Sequence, residues 1–343
     1  MSIRLRLSIL GLTAGLLLGA CTTPSGTVSP AASSTPSVAP LRPVRLLLGF
    51  RPDVQFSPFY VAQQAGYYAD AGFKVEIEYK SGPDLVRLVA DGQAEFGVAD
   101  ATDVMISRTA GIPIRYVATL YDLFPVALIG PKGTVPGVGN LASLAGKRIG
   151  TPGKYGSSWH ALLAILDAAG IKETDVTIRA YPSFNQVEGL LNGDVDLITG
   201  FRNNEPLQLA ARGTVVDLLT VEDVAPLPGP GMIVGDQLLA TDTLMVTAFA
   251  AATLKAQRAI AADPQIGLEA AIVVEPTIGG DRATALAVLK ATIDLWRGSG
   301  PAPTGEINQA AWERGYATMR RLGLITGSVP LSEMFSGVLA GNG

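Results

Sequence analysis

Cysteine and histidine are almost missing from this sequence: Cys21 and His160 are the single examples in 343 residues. The lone cysteine excludes disulfides in the folded part, a thiolate metal centre there and a cysteine nucleophile. The lone histidine excludes a metal site that needs several imidazoles, and a triad base needs an oriented partner that no motif supplies. Charge is also sparse, with 16% charged residues and a net charge of −4. No basic stretch follows the first few residues, so nucleic acid is not an expected partner. The glycine-rich "GTPGKYGSS" is not a nucleotide loop, because Lys154 is followed by Tyr155 where a P-loop has Ser or Thr. Its glycines instead let backbone approach a ligand and turn into a helix. The acidic pairs Asp91–Glu95 and Asp194–Asp196 fall in helix–strand turns and read as solvated turn residues. No cofactor is implied, and no enzyme chemistry.

A long apolar run is missing too. Leu7–Leu18, behind Arg4 and Arg6, is shorter than a membrane span and reads as the core of an export signal over residues 1–20. Leu18-Gly19-Ala20-Cys21 resembles the lipobox of bacterial lipoproteins. The resemblance implies acylation of Cys21, which would become the mature N-terminus and anchor the chain on the extracytoplasmic face of the cell membrane. Residues 21–43 then form a Ser/Thr/Pro/Ala-rich flexible tether, uncharged until Arg42.

From Val44 onward strand and helix patterns alternate. "VRLLLGF", "KVEIEY", "EFGVA", "IRYVATLY" and "PVALIG" read as strands with helices between them. After the Pro/Gly-rich "GPKGTVPGVGN" a second round begins with "KRIGT", "VTIRAY", "VDLITG" and "VVDLLT". Helices follow at 243–262, 264–274, 282–297 and 309–322. This order predicts an α/β protein of two lobes. Lobe 1 is expected over 44–130 plus 232–343, and lobe 2 over 131–231, with the two crossings as a hinge.

Four segments carry a family resemblance: "FSPFYVAQQAGYYADAGFKVEI", "LVRLVADGQAEFGVADATDVM", "LASLAGKRIGTPGKYGSSWHALLAIL" and "LLNGDVDLITGFRNNEP". In this order and spacing they resemble the solute-binding proteins of ABC importers that take thiamine-pyrimidine precursors, riboflavin or taurine, sulfonates and nitrate. The resemblance implies a type II periplasmic-binding-protein fold, a small-molecule ligand between the lobes, and an ABC permease with its ATPase as partners. It implies a monomer.

In open α/β sheets ligands sit beyond the carboxyl ends of strands. Reading those ends gives Phe56, Tyr60, Asp100, Thr102, Tyr121 and Asp122 from lobe 1, with Phe59 more at home in the core. Lobe 2 supplies Thr151, Tyr155, Ser157, Ser158, Trp159, Tyr181, Asn204 and Glu205, with Phe184 and Phe201 on the same ends. Rings at nearly every end suit a flat conjugated ligand, and the carboxylates, hydroxyls and amides suit its polar edge or a polyol chain. Riboflavin is the first expectation and a thiamine-type pyrimidine the second. A sulfonate- or nitrate-like anion, which would want arginines or free N–H groups, is third. A sensor lipoprotein and an enzyme of the same fold are the rival classes.

Overall fold

The computed structural model describes residues 40–80 and 83–339. The expected signal segment, Cys21 and most of the tether lie outside the described residues.

Two five-stranded sheets organise the chain. The first contains β1 (Arg42–Leu48), β2 (Phe73–Tyr79), β3 (Phe96–Ala99), β4 (Ile114–Thr119) and, far along the chain, β10 (Gly231–Gly235), in the order β2-β1-β3-β10-β4. The second contains β5 (Val126–Pro131), β6 (Arg148–Thr151), β7 (Thr177–Ala180), β8 (Leu197–Phe201) and β9 (Val216–Thr220), in the order β7-β6-β8-β5-β9. The helix-connected neighbours β1–β2, β1–β3, β6–β7 and β6–β8 pair in parallel. The strand that enters each sheet from the other lobe, β5 or β10, is antiparallel to both its neighbours. A strand entering from the cleft must run away from it, whereas strands reached through outer helices run toward it.

Two expected boundaries move. The chain has already joined the second sheet at Val126, where it pairs with Phe201, so "PVALIG" does not belong to lobe 1. Its residues Val126–Gly130 are all buried, so its composition carries no facial pattern to say which sheet it completes. At the N-terminal side the strand begins at Arg42, opposite Phe73, two residues inside the expected tether.

Each sheet is covered by helices. The helices Ser57–Gln64, Thr243–Ala262 and Pro264–Val274 pack against one another over the first sheet. Their shared core stacks Phe249 on Phe96 at 3.9 Å and on Tyr68 at 4.6 Å, and the Tyr68 hydroxyl reaches Thr253 Oγ1 at 2.8 Å. The long C-terminal helices start where a side chain meets otherwise free N–H groups. Asp242, Asp263, Asp281 and Asn308 each accept from the first turn. Beyond the last helix the chain returns to β4, where Tyr116 N–H donates to Met334 O and Ser336 N–H donates to Tyr116 O, covering that sheet edge.

The lobes are joined by residues 120–125 and 221–230. These crossings touch: the N–H groups of Leu120 and Tyr121 both donate to Pro230 O, at 3.2 and 3.0 Å. A Cβ at Gly229 would collide with Tyr121 O, so only glycine lets the two strands of the hinge run this close. Among the described residues no helix is long and apolar enough to cross a membrane.

Candidate functional site

A cavity of about 190 Å³ lies between the carboxyl ends of the two sheets. On this scale it has room for on the order of a dozen waters. From the first lobe it is walled by the turn after β1 (Gly49, Phe50), by Gln55 and Phe56, by Leu85 and Val86, and by the end of β3 with Asp100 and Asp103. Tyr121 and Pro230 close it at the hinge. From the second lobe come Pro152, Tyr155, Gly156, Ser157 and Ser158 after β6, Phe184 and Gln186 after β7, and Phe201, Asn204 and Glu205 after β8.

Ten of the residues expected from strand ends therefore meet in one place: Phe56, Asp100, Tyr121, Tyr155, Ser157, Ser158, Phe184, Phe201, Asn204 and Glu205. Six others do not line it. Tyr60 is fully buried in the first core, with its hydroxyl 2.9 Å from that of Tyr79; Phe59 is buried beside it. Thr102 is buried with Oγ1 2.8 Å from His160 Nδ1. Asp122 is exposed and sits on a separate shallow recess with Tyr116 and Asn308. Thr151 is buried at the end of β6. Trp159 packs into the second core, and Lys154 Nζ lies 5.3 Å from its ring. Tyr181 fills a smaller cluster with Val187 and Ile198, against Gly189. A strand end fixes where the backbone emerges, but the next helical turn decides the direction. In the helix Gly156–Ala168 the first turn faces the cavity at Ser157 and Ser158, and Trp159 is rotated about 100° away.

Strand-end reading missed Phe50, Gln55, Asp103, Gln186 and the apolar Leu85, Val86 and Val98. Asp103 had a signal, being one helical turn beyond Asp100; the two glutamines had none. Gln186 is buried, and its Nε2 donates to Glu205 Oε1 at 3.2 Å while its Oε1 has no partner.

The lobes are closed on each other. Phe50 and Phe184 meet edge to face across the mouth, with ring centroids 4.9 Å apart. Phe184 has φ 55°, the one non-glycine residue with positive φ among those described. Such a backbone costs on the order of 1–3 kcal/mol and persists where the surroundings impose it. Asn203 Nδ2 donates to Gln55 Oε1 at 3.1 Å and to Thr292 Oγ1 at 2.7 Å, tying lobe 2 to lobe 1. On the other side Ser157 N–H donates to Asp100 Oδ2 at 3.0 Å, and the Thr102–His160 bond lies behind it. Arg321 Nε adds an outer ion pair to Asp167 Oδ2 at 2.7 Å.

The polar groups of the wall are acidic and poorly solvated. Burial raises the Asp100 carboxyl to about 6, opposed by the hydrogen bond from Ser157. Asp103 is pushed well above the ordinary carboxylate range by burial and by the charge of Asp100. Burial raises Glu205 to about 7, although Phe201 N–H donates to its Oε2 at 2.8 Å. Asp53, beside the wall, is raised by burial as well. His160 is lowered to about 4 by burial and is neutral at pH 7. The arrangement can stack a flat ring and accept hydrogen bonds from it.

The sheet order, the two crossings and the cleft at the strand ends define a chain of the periplasmic-binding-protein fold. Residues 53–266 match the NMT1/THI5-like family, and the chain belongs to that family. It is 32% identical over 344 residues, 97% of each chain, to the riboflavin-binding protein RibY of Chloroflexus aurantiacus. It is 30% identical over 168 residues to a 4-amino-5-hydroxymethyl-2-methylpyrimidine phosphate synthase of Legionella pneumophila, covering 48% of this chain and 51% of that one. Among solved structures it is similar to the alkanesulfonate-binding protein SsuA of Xanthomonas axonopodis pv. citri bound to MOPS. There the TM-score is 0.67 at 18% identity, over 88% of this chain and 100% of that one.

Proposed function

We propose that this chain is the solute-binding component of an ABC importer, with riboflavin as its ligand. The observation that carries the reading is the pair of aromatic walls. Phe50 and Phe56 of one lobe, Tyr121 at the hinge, and Tyr155, Phe184 and Phe201 of the other lobe line a single cavity together with hydrogen-bonding groups. Each offset ring pair contributes about 0.5–1.5 kcal/mol beyond burial, which favours a flat conjugated solute. The near full-length similarity to a protein named for riboflavin binding supports the same ligand. Capture would follow from closure about residues 120–125 and 221–230, and a permease with its ATPase would receive the ligand on reopening. Cys21 would be acylated and hold the monomer at the extracytoplasmic face of the membrane.

A thiamine-type aminopyrimidine is the second reading, favoured by the acidic wall and by the half-length similarity to the pyrimidine phosphate synthases. Catalysis is no part of either reading: His160 is buried behind the cavity wall, with Nδ1 2.8 Å from Thr102 Oγ1. Thermal melting of the chain from Pro40 with riboflavin, an aminopyrimidine and an alkanesulfonate separates the classes. The expected result is stabilisation by riboflavin at micromolar concentration; stabilisation by the pyrimidine or the sulfonate alone would replace the ligand.

A further inference from the structure

We propose that this cleft selects against anions, because carboxylates of the protein itself already occupy two of the backbone donors that would hold one. The specificity residues are Asp100 and Glu205, and the class admitted is a neutral or cationic ring system without phosphate or sulfonate groups. The riboflavin arm of the argument rests on the reading above; the exclusion of anions does not.

The helix Gly156–Ala168 opens onto the cavity through Gly156, Ser157 and Ser158. Thirteen residues of aligned peptide dipoles and free first-turn N–H groups make that end an anion site by default. Its own N-cap residue, Tyr155, supplies no side-chain cap. The cap comes from the opposite lobe, as the Asp100 carboxylate accepts from Ser157 N–H at 3.0 Å. An anionic ligand at this position would have to displace that carboxylate and lie beside it. The second donor group of the wall is filled the same way. Phe201 N–H, at the end of β8, donates to Glu205 Oε2 at 2.8 Å, and Gln186 Nε2 donates to Glu205 Oε1.

Little of opposite charge offsets these groups: Arg51 favours the Glu205 carboxylate, but burial outweighs it. Among the described residues, those lining the cavity include Asp100, Asp103 and Glu205 and no Lys, Arg or His. Nearby cations have other partners: Arg202 pairs with Glu222 at 3.2 Å, Lys154 pairs with Glu173, and the Arg51 guanidinium lies 5.2 Å from the Phe50 ring centroid. The part-protonated state that burial gives Asp100 and Glu205 fits the same class, since a carboxylic acid offers a ligand a donor as well as an acceptor. A phosphate ester of an otherwise accepted ring would meet like charge in a poorly solvated cleft, which costs affinity by the repulsive route to specificity.

The test compares riboflavin with its 5′-phosphate ester, both followed by flavin fluorescence, on the full chain in detergent. The expected result is an affinity for riboflavin at least about tenfold above that for the ester. Asp100→Asn and Glu205→Gln, each checked for folding by circular dichroism, should each narrow that ratio by about threefold or more; if one fails to fold, the other carries the test. Equal affinity for the two flavins, or a ratio unchanged in the folded variants, overturns the proposal. Should neither flavin bind, the ligand reading has failed and methanesulfonate becomes the probe, read by thermal melting. Stabilisation of Asp100→Ala but not of the parent then supports the internal-anion account. Stabilisation of the parent, or of neither protein, overturns it.

Discussion

Replacing Glu205 with glutamine isolates the energetic cost of the acidic wall. In the folded chain the Glu205 carboxyl titrates at about 7 against an ordinary value of 4.5, and burial is the main cause. Below 4.5 both folded and unfolded states hold the proton, and the penalty against ionisation does not weigh on stability. Between 4.5 and about 7 the unfolded chain ionises freely while the folded one resists, so stability falls as pH rises through that window and levels off above it. Each pH unit in the window is worth about 1.4 kcal/mol, so the whole interval removes about 3 kcal/mol. Glutamine keeps an acceptor for Phe201 N–H and abolishes the titration. Urea unfolding of the chain from Pro40 at pH 5 and pH 8 measures the difference. Glu205→Gln should gain about 2–3 kcal/mol relative to the parent on going from the lower to the higher pH. A gap between the two proteins that stays the same at both pH values, within about 0.5 kcal/mol, would refute the argument that this carboxyl is desolvated.

Three further outcomes follow from the geometry. Asn203→Ala removes two bonds between the lobes, to Gln55 and Thr292. It should raise the radius of gyration of the ligand-free chain in small-angle scattering and weaken ligand binding about tenfold; an unchanged radius would mean that these bonds do not hold the closed state. Trp159→Ala should cost about 3–5 kcal/mol in unfolding, as befits a ring in the second core, whereas Tyr155→Ala should change stability by less than about 1 kcal/mol and weaken ligand binding. Reversal of that pattern would return Trp159 to the ligand wall. Phe50→Ala removes one ring of the pair across the mouth and should speed ligand release more than it slows capture, as stopped-flow quenching would read; equal release rates would make the Phe50–Phe184 contact incidental.

Local chemistry made much of this architecture readable. The C-terminal helices begin at Asp242, Asp263, Asp281 and Asn308 because those side chains cap first-turn N–H groups, and capping residues are visible in a sequence. Strand–helix alternation likewise gave the two rounds of parallel pairing. Membership of a sheet is a tertiary property. Val126–Pro131 is apolar on both faces, and only its pairing with Phe201 and Thr220 neighbours places it in the second lobe. The same limit governs the site. Backbone position at a strand end is legible, and Asp100, Tyr155 and Glu205 lie on the cavity wall where that position puts them. Side-chain direction is not, so Tyr60, Trp159 and Tyr181 read as ligand contacts although they fill cores. Gln55 and Gln186 are built into the wall by contacts from other segments, and nothing in their immediate neighbours signals it.

The most direct test of the central claim is a titration of the chain from Pro40 with riboflavin, following flavin fluorescence. The account predicts saturable quenching at one ligand per chain with a Kd below about 1 μM, equivalent to about −8 kcal/mol or stronger. Unquenched fluorescence with equimolar flavin at tens of micromolar protein would contradict it.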